Sequence, residues 1–434
     1  MNKPHPEMRE TEYLVVGAGA AGCAFGFLME RAGADVLLLE MKNSRQRVKL
    51  CAGILENRAE AAFYDIFGQT ADEAGLAPMR IESMCVWDER NELRRAMPGS
   101  RMGTDVPVEA GAPAQKSLGA ALRGYLRTGG KALAKKIIME ALGVDPGGIF
   151  TFRALPRKRF DDYIRDRFLA EGGRILYHTK ILSVNDEAGL AECLDLQTKE
   201  RFALRYRYLI CADGAVSNVR RLLTGRQPRV YLALEAAVPL IRREAVGYLT
   251  KGSQGYCWYI PRGEDATVGC GYHDLGADAV ETCHKRLTEF CGSLGITPPS
   301  RFSGAFIPEG DDVLLRIGTR TYLLGDAAGL NDAFTGGGIH YALLSAQALA
   351  ASLTGDGDYC EPSKDKALVA SLTGDGDRCE PSSVSASASS VVGTVSYEEA
   401  MQSHVNCVKK SSANLKQYYA VACSVVSGLG KRRR

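Results

Sequence analysis

The 434-residue sequence has few of the side chains that build metal centres and little net charge. It has six histidines, and its thirteen cysteines contain no CxxC pair. This spacing argues against zinc sites and redox dithiols, so we expect no metal ion and mostly buried, reduced cysteines. A net charge of +3 is too small to indicate a nucleic-acid partner, and we expect none.

Long apolar segments are also missing. No run of 18 apolar residues occurs, so the sequence predicts no helix that crosses a bilayer. No signal peptide is recognisable before the first predicted strand. Together with the reduced cysteines, these absences predict a cytoplasmic protein whose only membrane contact would be peripheral, at the membrane surface.

The most informative segment that is present is YLVVGAGAAGCAFGFLMERAGADVLLLE, residues 13–40. Its apolar ends predict two buried parallel strands, and a GxGxxG sequence leads into a helix between them. Gly17 permits a tight turn, Gly19 lets the backbone approach a pyrophosphate, and Gly22 lets the helix lie close to the strand. Glu40 ends the second strand, where a carboxylate binds adenosine ribose hydroxyls and repels the 2′-phosphate of NADP. This unit predicts a dinucleotide site and leaves FAD and NAD both open.

Two later motifs favour FAD. Asp213-Gly214 follows a predicted strand, and Gly325-Asp326 follows another. A glycine loop, residues 336–338, then leads into a helix. FAD is long enough to use a second acidic residue on its ribityl chain and a second helix N-terminus at its flavin, whereas NAD has no need of them.

Together these motifs resemble those of the FAD-dependent oxidoreductases that include the aromatic hydroxylases. Two narrower matches, KLCAGIL at 49–55 and YCWYIPRGEDATVGCG at 256–271, resemble the cysteine loop and lipid-pocket signature of geranylgeranyl reductases. The resemblance covers most of residues 12–353 and the final helix. It implies an α/β fold: a Rossmann-like FAD-binding domain with a mainly parallel sheet, an antiparallel β-sheet substrate domain and a helical C-terminal region.

The resemblance also implies a set of site residues. Cys51 falls in the loop that faces the flavin and is the candidate catalytic residue. The family's cofactor contacts fall on Gly17, Gly19, Ala21, Gly22, Glu40, Cys51, Ala52, Ile54, Arg159, Val184, Asp213, Gly214, Asp326, Gly338 and Ile339. Its substrate wall falls on Tyr256, Trp258, Gly269 and Gly271.

Several residues keep two interpretations. Cys51 is either a small buried residue or a reactive one. Tyr256 and Trp258 alternate as on a strand, so they are either core aromatics or a pocket wall. His340, at a predicted helix start, is either structural or a proton donor.

Three functions remain open. The first is an FAD-dependent reductase that transfers hydride to the isoprenoid double bonds of a prenyl or polyprenyl lipid. The second is a flavin-dependent monooxygenase or halogenase, because halogenases carry a WxWxIP element close to residues 256–261. The third is an FAD-binding scaffold or electron carrier. The external electron donor, NAD(P)H, ferredoxin or another, stays open, as do the proton donor and the oligomeric state.

The chain divides by composition into several predicted units. Residues 1–95, 151–230 and 312–353 form a discontinuous FAD-binding domain, and residues 231–311 form a β-rich substrate domain. Residues 96–150 form a basic, amphipathic helical insertion, whose basic segment at 123–136 is either a solvated face or an interfacial lipid contact. A 19-residue segment is duplicated within a low-complexity insertion at 354–395, and a helical tail occupies 396–434.

Overall fold

A computed structural model describes residues 9–43, 49–81, 84–87, 152–249, 255–273, 275–332, 336–355, 396–406, 408, 409 and 412. The predicted basic helices of residues 96–150 lie outside the described residues, as does almost all of the duplicated insertion. Within the described ranges, no helix combines the length and hydropathy that crossing a bilayer requires. The cysteines whose side chains the structure describes are free, and apart from Cys51 they are buried.

The strands and helices are numbered in chain order. The strands are β1 (Arg9–Val16), β2 (Val36–Leu39), β3 (Ile54–Leu55), β4 (Met79–Ile81), β5 (Met84–Trp87), β6 (Phe152–Ala154), β7 (Arg174–Leu176), β8 (Thr179–Asn185), β9 (Leu190–Asp195), β10 (Arg201–Cys211), β11 (Val230–Pro239), β12 (Ala245–Leu249), β13 (Gly255–Pro261), β14 (Asp265–Tyr272), β15 (Ser303–Pro308), β16 (Arg316–Ile317) and β17 (Thr321–Leu323). The helices are α1 (Ala20–Arg31), α2 (Asn57–Phe67), α3 (Arg157–Ala170), α4 (Asn218–Thr224), α5 (Ala279–Ser293), α6 (Ile339–Thr354) and α7 (397–406).

The first sheet has eight strands and is parallel through its centre. Its main order is β16-β17-β10-β1-β2-β7, with the β8–β9 hairpin extending from β10. β1 pairs in parallel with both β2 and β10, and all four residues of β2 are buried. Helix α1 packs against α3 and α6 beside this sheet. Central parallel strands buried in this way are typical of dinucleotide-binding folds.

The second sheet has six strands, in the order β15-β11-β14-β13-β12-β5. Its pairings are antiparallel, except that β12 and β5 run in parallel. Helix α5 covers one face, where Leu234 and Val268 share a core with Leu287 and Phe290. The predicted fold class, a Rossmann-like unit with an antiparallel substrate sheet, is confirmed. Helix α5 was not predicted from the sequence, which indicated only a β-rich domain at residues 231–311.

A small three-stranded sheet, in the order β3-β6-β4, lies between the two larger units. The face of the six-stranded sheet opposite α5 is called its open face below. Ile81 and Ala154 from the small sheet share an apolar cluster with Ala233, Trp258 and Ile260 on that face. The small sheet therefore brings the cysteine loop, which runs directly into β3, against that face.

The C-terminal helix α7 completes the core of the first unit. Tyr397 is buried, and its hydroxyl donates to the Leu323 carbonyl at 2.9 Å. Met401 is also buried in the same core. The helix therefore packs against the end of β17, directly before the Gly325-Asp326 motif. The domain boundaries drawn from the sequence stay predictions.

Candidate functional site

The glycine-rich loop between β1 and α1 is closely packed. Gly17 has a φ of +103°, and a Cβ there would lie 2.4 Å from the Ala212 carbonyl oxygen. A Cβ at Gly22 would lie 2.1 Å from the Gly17 carbonyl oxygen. Only glycine fits either position, because a Cβ contact below 3 Å with backbone atoms cannot relax. Helix α1 begins after Gly19 with no side-chain cap and no acidic residue in its first turn, so its backbone N–H groups suit an anion.

Glu40 sits at the end of β2, beside this loop. One carboxylate oxygen accepts the Ala18 N–H at 3.2 Å, and the other accepts the Lys42 N–H at 3.0 Å. The side chain is almost fully buried. These bonds fix the carboxylate at the place where this fold binds the ribose of a dinucleotide. Glu40, Gly17, Gly19, Ala21 and Gly22 are therefore brought together as one cradle.

A second helix N-terminus meets the first at Gly325. A Cβ on Gly325 would lie 3.3 Å from the Ala342 Cα in α6 and 3.6 Å from the Ala21 Cβ in α1. Helix α6 begins at Ile339, after Gly338, and again has no acidic residue in its first turn. Gly325 therefore lies against the first turns of both helices, so the two helix N-termini come close together, as binding of a pyrophosphate and a flavin requires.

Asp326 lies at this second helix end. A Cβ on Gly338 would lie 3.0 Å from the Asp326 Oδ1, so the carboxylate lies directly against the glycine loop. Its other oxygen pairs with the Lys49 ammonium at 2.6 Å. Lys49 precedes the cysteine loop and was not predicted as a site residue, although a cation in the KLCAGIL segment was visible in the sequence.

Asp213 and Gly214 lie at the end of β10, and the carboxylate of Asp213 organises helix α4. Its Oδ2 accepts the Val219 N–H at 3.2 Å, and burial raises its pKa. Its Oδ1 is buried and has no partner in the part of the chain that the structure describes. Arg220, which is fully buried, ties this helix to Asp312 at 2.8 Å. Asp213 thus has a structural role and one free acceptor.

Cys51 is half-buried, and donors surround its sulfur. The Gly53 N–H approaches Sγ at 3.4 Å, and the Arg157 guanidinium also donates to it. Arg157 is buried and pairs with Asp161 at 2.8 Å. Burial lowers the pKa of Arg157, but Asp161 and Cys51 raise it by more, so it stays charged. The thiol therefore lies beside a permanent positive charge.

Arg159, the arginine predicted to contact FAD, is exposed and donates to the Gly75 carbonyl at 3.2 Å. Arg157 lies on the buried side of α3 together with Phe160, Ile164 and Phe168. Their spacing puts residues 157, 160, 164 and 168 on one helical face, so the sequence did hold a signal for Arg157. Val184 is half-buried in β8, where it pairs with Ala191 and packs against the core of the first unit. The cofactor contacts of Arg159 and Val184 stay predictions.

Tyr256 and Trp258 line the open face of the six-stranded sheet. Their rings lie 5.6 Å apart, and both contact the apolar cluster that includes Ala52 and Ile54 of the cysteine loop. The indole lies across Gly269 on the neighbouring strand, where a Cβ would be 2.1 Å from Trp258 Cζ2. The indole nitrogen is buried without a partner among the described residues.

The same face also reaches the glycine loop before α6. A Cβ on Gly336 would lie 2.8 Å from the Tyr231 hydroxyl and 3.3 Å from the Tyr256 hydroxyl. A Cβ on Gly271 would lie 3.2 Å from the Tyr231 ring. The predicted wall residues, the cysteine loop and the second helix end therefore surround one site.

Two buried ionisable groups differ from their ordinary protonation behaviour. Burial lowers the pKa of His340, at the start of α6, to about 3, so its imidazole is neutral near pH 7 and is a poor proton donor. Burial raises the pKa of Glu235, in β11, to about 7. Sequence reasoning missed Glu235, because the register that brings β11 to the site is not visible in its local sequence.

The geometry fits FAD on this structure's own features. The cradle of the β1–α1 loop and Glu40 suits an adenosine and a pyrophosphate. Asp326 and the N-terminus of α6 suit a ribityl chain and a flavin ring. The fold and the site define a two-unit dinucleotide-binding oxidoreductase. A family model described as "FAD dependent oxidoreductase" matches residues 12–352, and the chain belongs to that family.

Known proteins similar to this chain fall into more than one activity class. The digeranylgeranylglycerophospholipid reductase 2 of Methanosphaera stadtmanae is 26% identical over 353 residues, covering 78% of this chain and 76% of the relative. The crystal structure of a geranylgeranyl bacteriochlorophyll reductase-like protein from Thermoplasma acidophilum superposes with a TM-score of 0.59 at 16% identity, covering 96% of this chain and 92% of that one. The myxobacterial chondrochloren halogenase superposes with a TM-score of 0.57 at 15% identity, covering 84% and 78%. The structural likenesses show the fold alone.

Proposed function

We propose that this protein reduces isoprenoid double bonds, of the geranylgeranyl type, in a prenyl or polyprenyl lipid. The observation that carries the proposal is the apolar wall of Tyr256, Trp258 and Ile260, which packs directly on the cysteine loop. An isoprenoid chain offers only apolar surface, so a wall of aromatic and aliphatic side chains suits it. The similarity to digeranylgeranylglycerophospholipid reductases supports the same substrate class.

The chain's own residues would bind, orient and dehydrate the alkene. FAD, when bound and reduced, supplies the hydride. The wall excludes water and holds one double bond beside the flavin, because an unactivated alkene reacts only in a near-attack geometry. The Cys51 loop packs on this wall, and Arg157 contacts the Cys51 sulfur from α3. A peripheral membrane contact through the basic insertion at residues 96–150 is also part of the proposal, and these residues lie outside the described part of the chain.

A direct test uses protein loaded with FAD, reduced anaerobically with dithionite and mixed with geranylgeranyl diphosphate. We expect the oxidised flavin spectrum to return and the product to gain two hydrogen atoms per reduced double bond. Trp258→Ala should keep its FAD spectrum and lose turnover about a hundredfold, because it leaves the alkene about 1 Å out of place. Loss of FAD in this variant would identify Trp258 as a core residue only.

The alternative is a flavin-dependent monooxygenase or halogenase. The observation that favours it is the Tyr256-x-Trp258-x-Ile260-Pro261 element, which is close to the halogenase WxWxIP sequence. When the reduced protein is instead mixed with the alkene in the presence of oxygen, a monooxygenase or halogenase would consume oxygen and leave the alkene unreduced. Reduction of the alkene without oxygen would refute this alternative.

A further inference from the structure

The open face of the six-stranded sheet carries one acidic side chain at its centre, Glu235. In β11, Leu232, Leu234 and Val238 face the core beneath α5, so Ala233 and Glu235 face the opposite way. Glu235 pairs in register with Gly269, and Gly269 pairs in turn with Trp258. Glu235 and Trp258 therefore flank the same glycine, on the face that meets the cysteine loop.

The Glu235 carboxyl is buried and only partly satisfied. The Cys51 backbone N–H donates to it, and the Thr267 hydroxyl, which donates to the Ala236 carbonyl at 3.3 Å, is its other hydrogen-bond partner. Its Oε2 is buried and has no hydrogen-bond partner among the residues that the structure describes. The side chain is 8% exposed, so bulk water does not replace the missing partner. A buried carboxyl oxygen without a donor is costly when ionised, and much less so when protonated.

The charges near Glu235 do little to hold it ionised. Arg262 at the end of β13 forms a bidentate pair with Asp265 of β14, with distances of 3.1 Å and 2.7 Å. The negative charge of Asp265 therefore offsets most of the stabilisation that Arg262 would give to an ionised Glu235. Ser303, which faces Glu235 from β15, carries no charge. Burial is the largest influence on the pKa of Glu235 and raises it to about 7, so the carboxyl keeps its proton to an unusually high pH.

We propose that Glu235 is the proton donor for the reduced double bond, an inference that rests on the proposed function. FAD, when bound and reduced, would supply a hydride and its two electrons to one alkene carbon, and the Glu235 O–H bond would supply a proton to the other carbon. The π bond would thereby be replaced by two C–H bonds, and Glu235 would be left as a carboxylate. Solvent water returns the proton between turnovers.

Placement on the wall makes this assignment specific. In this proposal Trp258 and Ile260 bind the isoprenoid substrate beside the cysteine loop. Glu235 is the acidic residue in register with Trp258, across Gly269. His340 is neutral near pH 7 and sits at the start of α6. Arg157 keeps its proton too tightly to act as an acid. Among these described groups, Glu235 alone is poised to release a proton near neutral pH.

The decisive variant is Glu235→Gln, which keeps an acceptor for the Cys51 N–H but cannot release a proton. The matched control is Glu289→Gln, an exposed position on α5, which covers the other face of the same sheet. With geranylgeranyl diphosphate and dithionite-reduced enzyme, we expect E235Q to slow alkene reduction by about a hundredfold or more. The wild-type rate should fall above about pH 7, and the residual E235Q rate should not change there.

A second readout needs neither substrate nor turnover. The infrared difference spectrum between pH 6 and pH 8 should contain a protonated-carboxyl band that E235Q weakens and E289Q leaves intact. Glu56, whose pKa burial also raises to about 7, should account for the part that remains. An unchanged band and an unchanged rate in E235Q would overturn the assignment while leaving wild-type alkene reduction standing. Failure of the wild type itself to reduce the alkene would instead refute the proposed function.

Discussion

Gly269→Ala tests the geometry of the substrate wall most directly. The new Cβ would lie 2.1 Å from Trp258 Cζ2 and 2.3 Å from Cε2. Apolar carbon atoms settle at about 3.5 Å or more, so the indole must retreat by about 1.4 Å. Trp258 is 9% exposed and packed among Tyr256, Ile260 and the cysteine loop, so it has little room to do so. We expect a loss of about 1–3 kcal/mol in the free energy of unfolding, the usual cost of overpacking.

The assay is urea denaturation of the single and double variants, with FAD content and alkene turnover measured on the same samples. Trp258→Ala alone should cost about 3–5 kcal/mol. In the double variant the clash has no partner, so the two costs should fall short of additivity by about 1–3 kcal/mol. FAD should be retained throughout, because neither residue touches the β1–α1 loop.

The matched control is Gly292→Ala in α5, where a Cβ would meet nothing within 4 Å. Because Gly292 lies inside a helix, this change should stabilise the protein by up to about 1 kcal/mol. A G269A protein as stable as the wild type would refute the placement of the indole over Gly269. Additive costs in the double variant would refute it as well.

Three further predictions follow from the site. Glu40→Arg should lower the FAD content of the purified protein, measured as the ratio of flavin to protein absorbance, and full occupancy would contradict the assigned cradle. The free energy of unfolding of the cofactor-free protein should fall by up to about 3 kcal/mol for each of Glu56 and Glu235 as pH rises from 4.5 to about 7. The folded state holds those protons to higher pH than the unfolded chain does, so glutamine at either position should flatten the slope, and an unchanged slope in both variants would refute the burial argument. Arg157→Met should cost about 3–5 kcal/mol in urea denaturation by removing the buried guanidinium that pairs with the buried Asp161 carboxylate, and a loss below about 1 kcal/mol would contradict that pairing.

The cradle of the β1–α1 loop and Glu40 could be predicted because its sequence motif is local. Gly17, Gly22 and Glu40 lie within one strand–helix–strand unit, and each residue type is required by the backbone around it. The fold class followed for the same reason, since one such unit implies a parallel sheet with helices beside it.

The second half of the site depended on contacts between distant segments. Glu235 lies at the end of a continuous buried stretch of β11, residues 231–235, and only the register with Gly269 brings it beside Trp258. Lys49 reaches Asp326 across 277 positions of chain. Secondary-structure propensities and motifs depend on residues that are close in sequence. They identified Asp326 and Trp258 by resemblance, but they could not predict Lys49 and Glu235, which lie beside these residues only in the folded structure.

The close approach of Gly336 to the hydroxyls of Tyr231 and Tyr256 has a thermodynamic consequence. The glycine loop that would hold the flavin and the wall that would hold the lipid share this contact, with no side chain between them. A lipid that moves the Tyr256 ring changes the room available to the loop, and a cofactor that moves the loop changes the room available to the ring. Linkage makes the effect reciprocal: by whatever factor the lipid alters the dissociation constant of the cofactor, the cofactor alters that of the lipid.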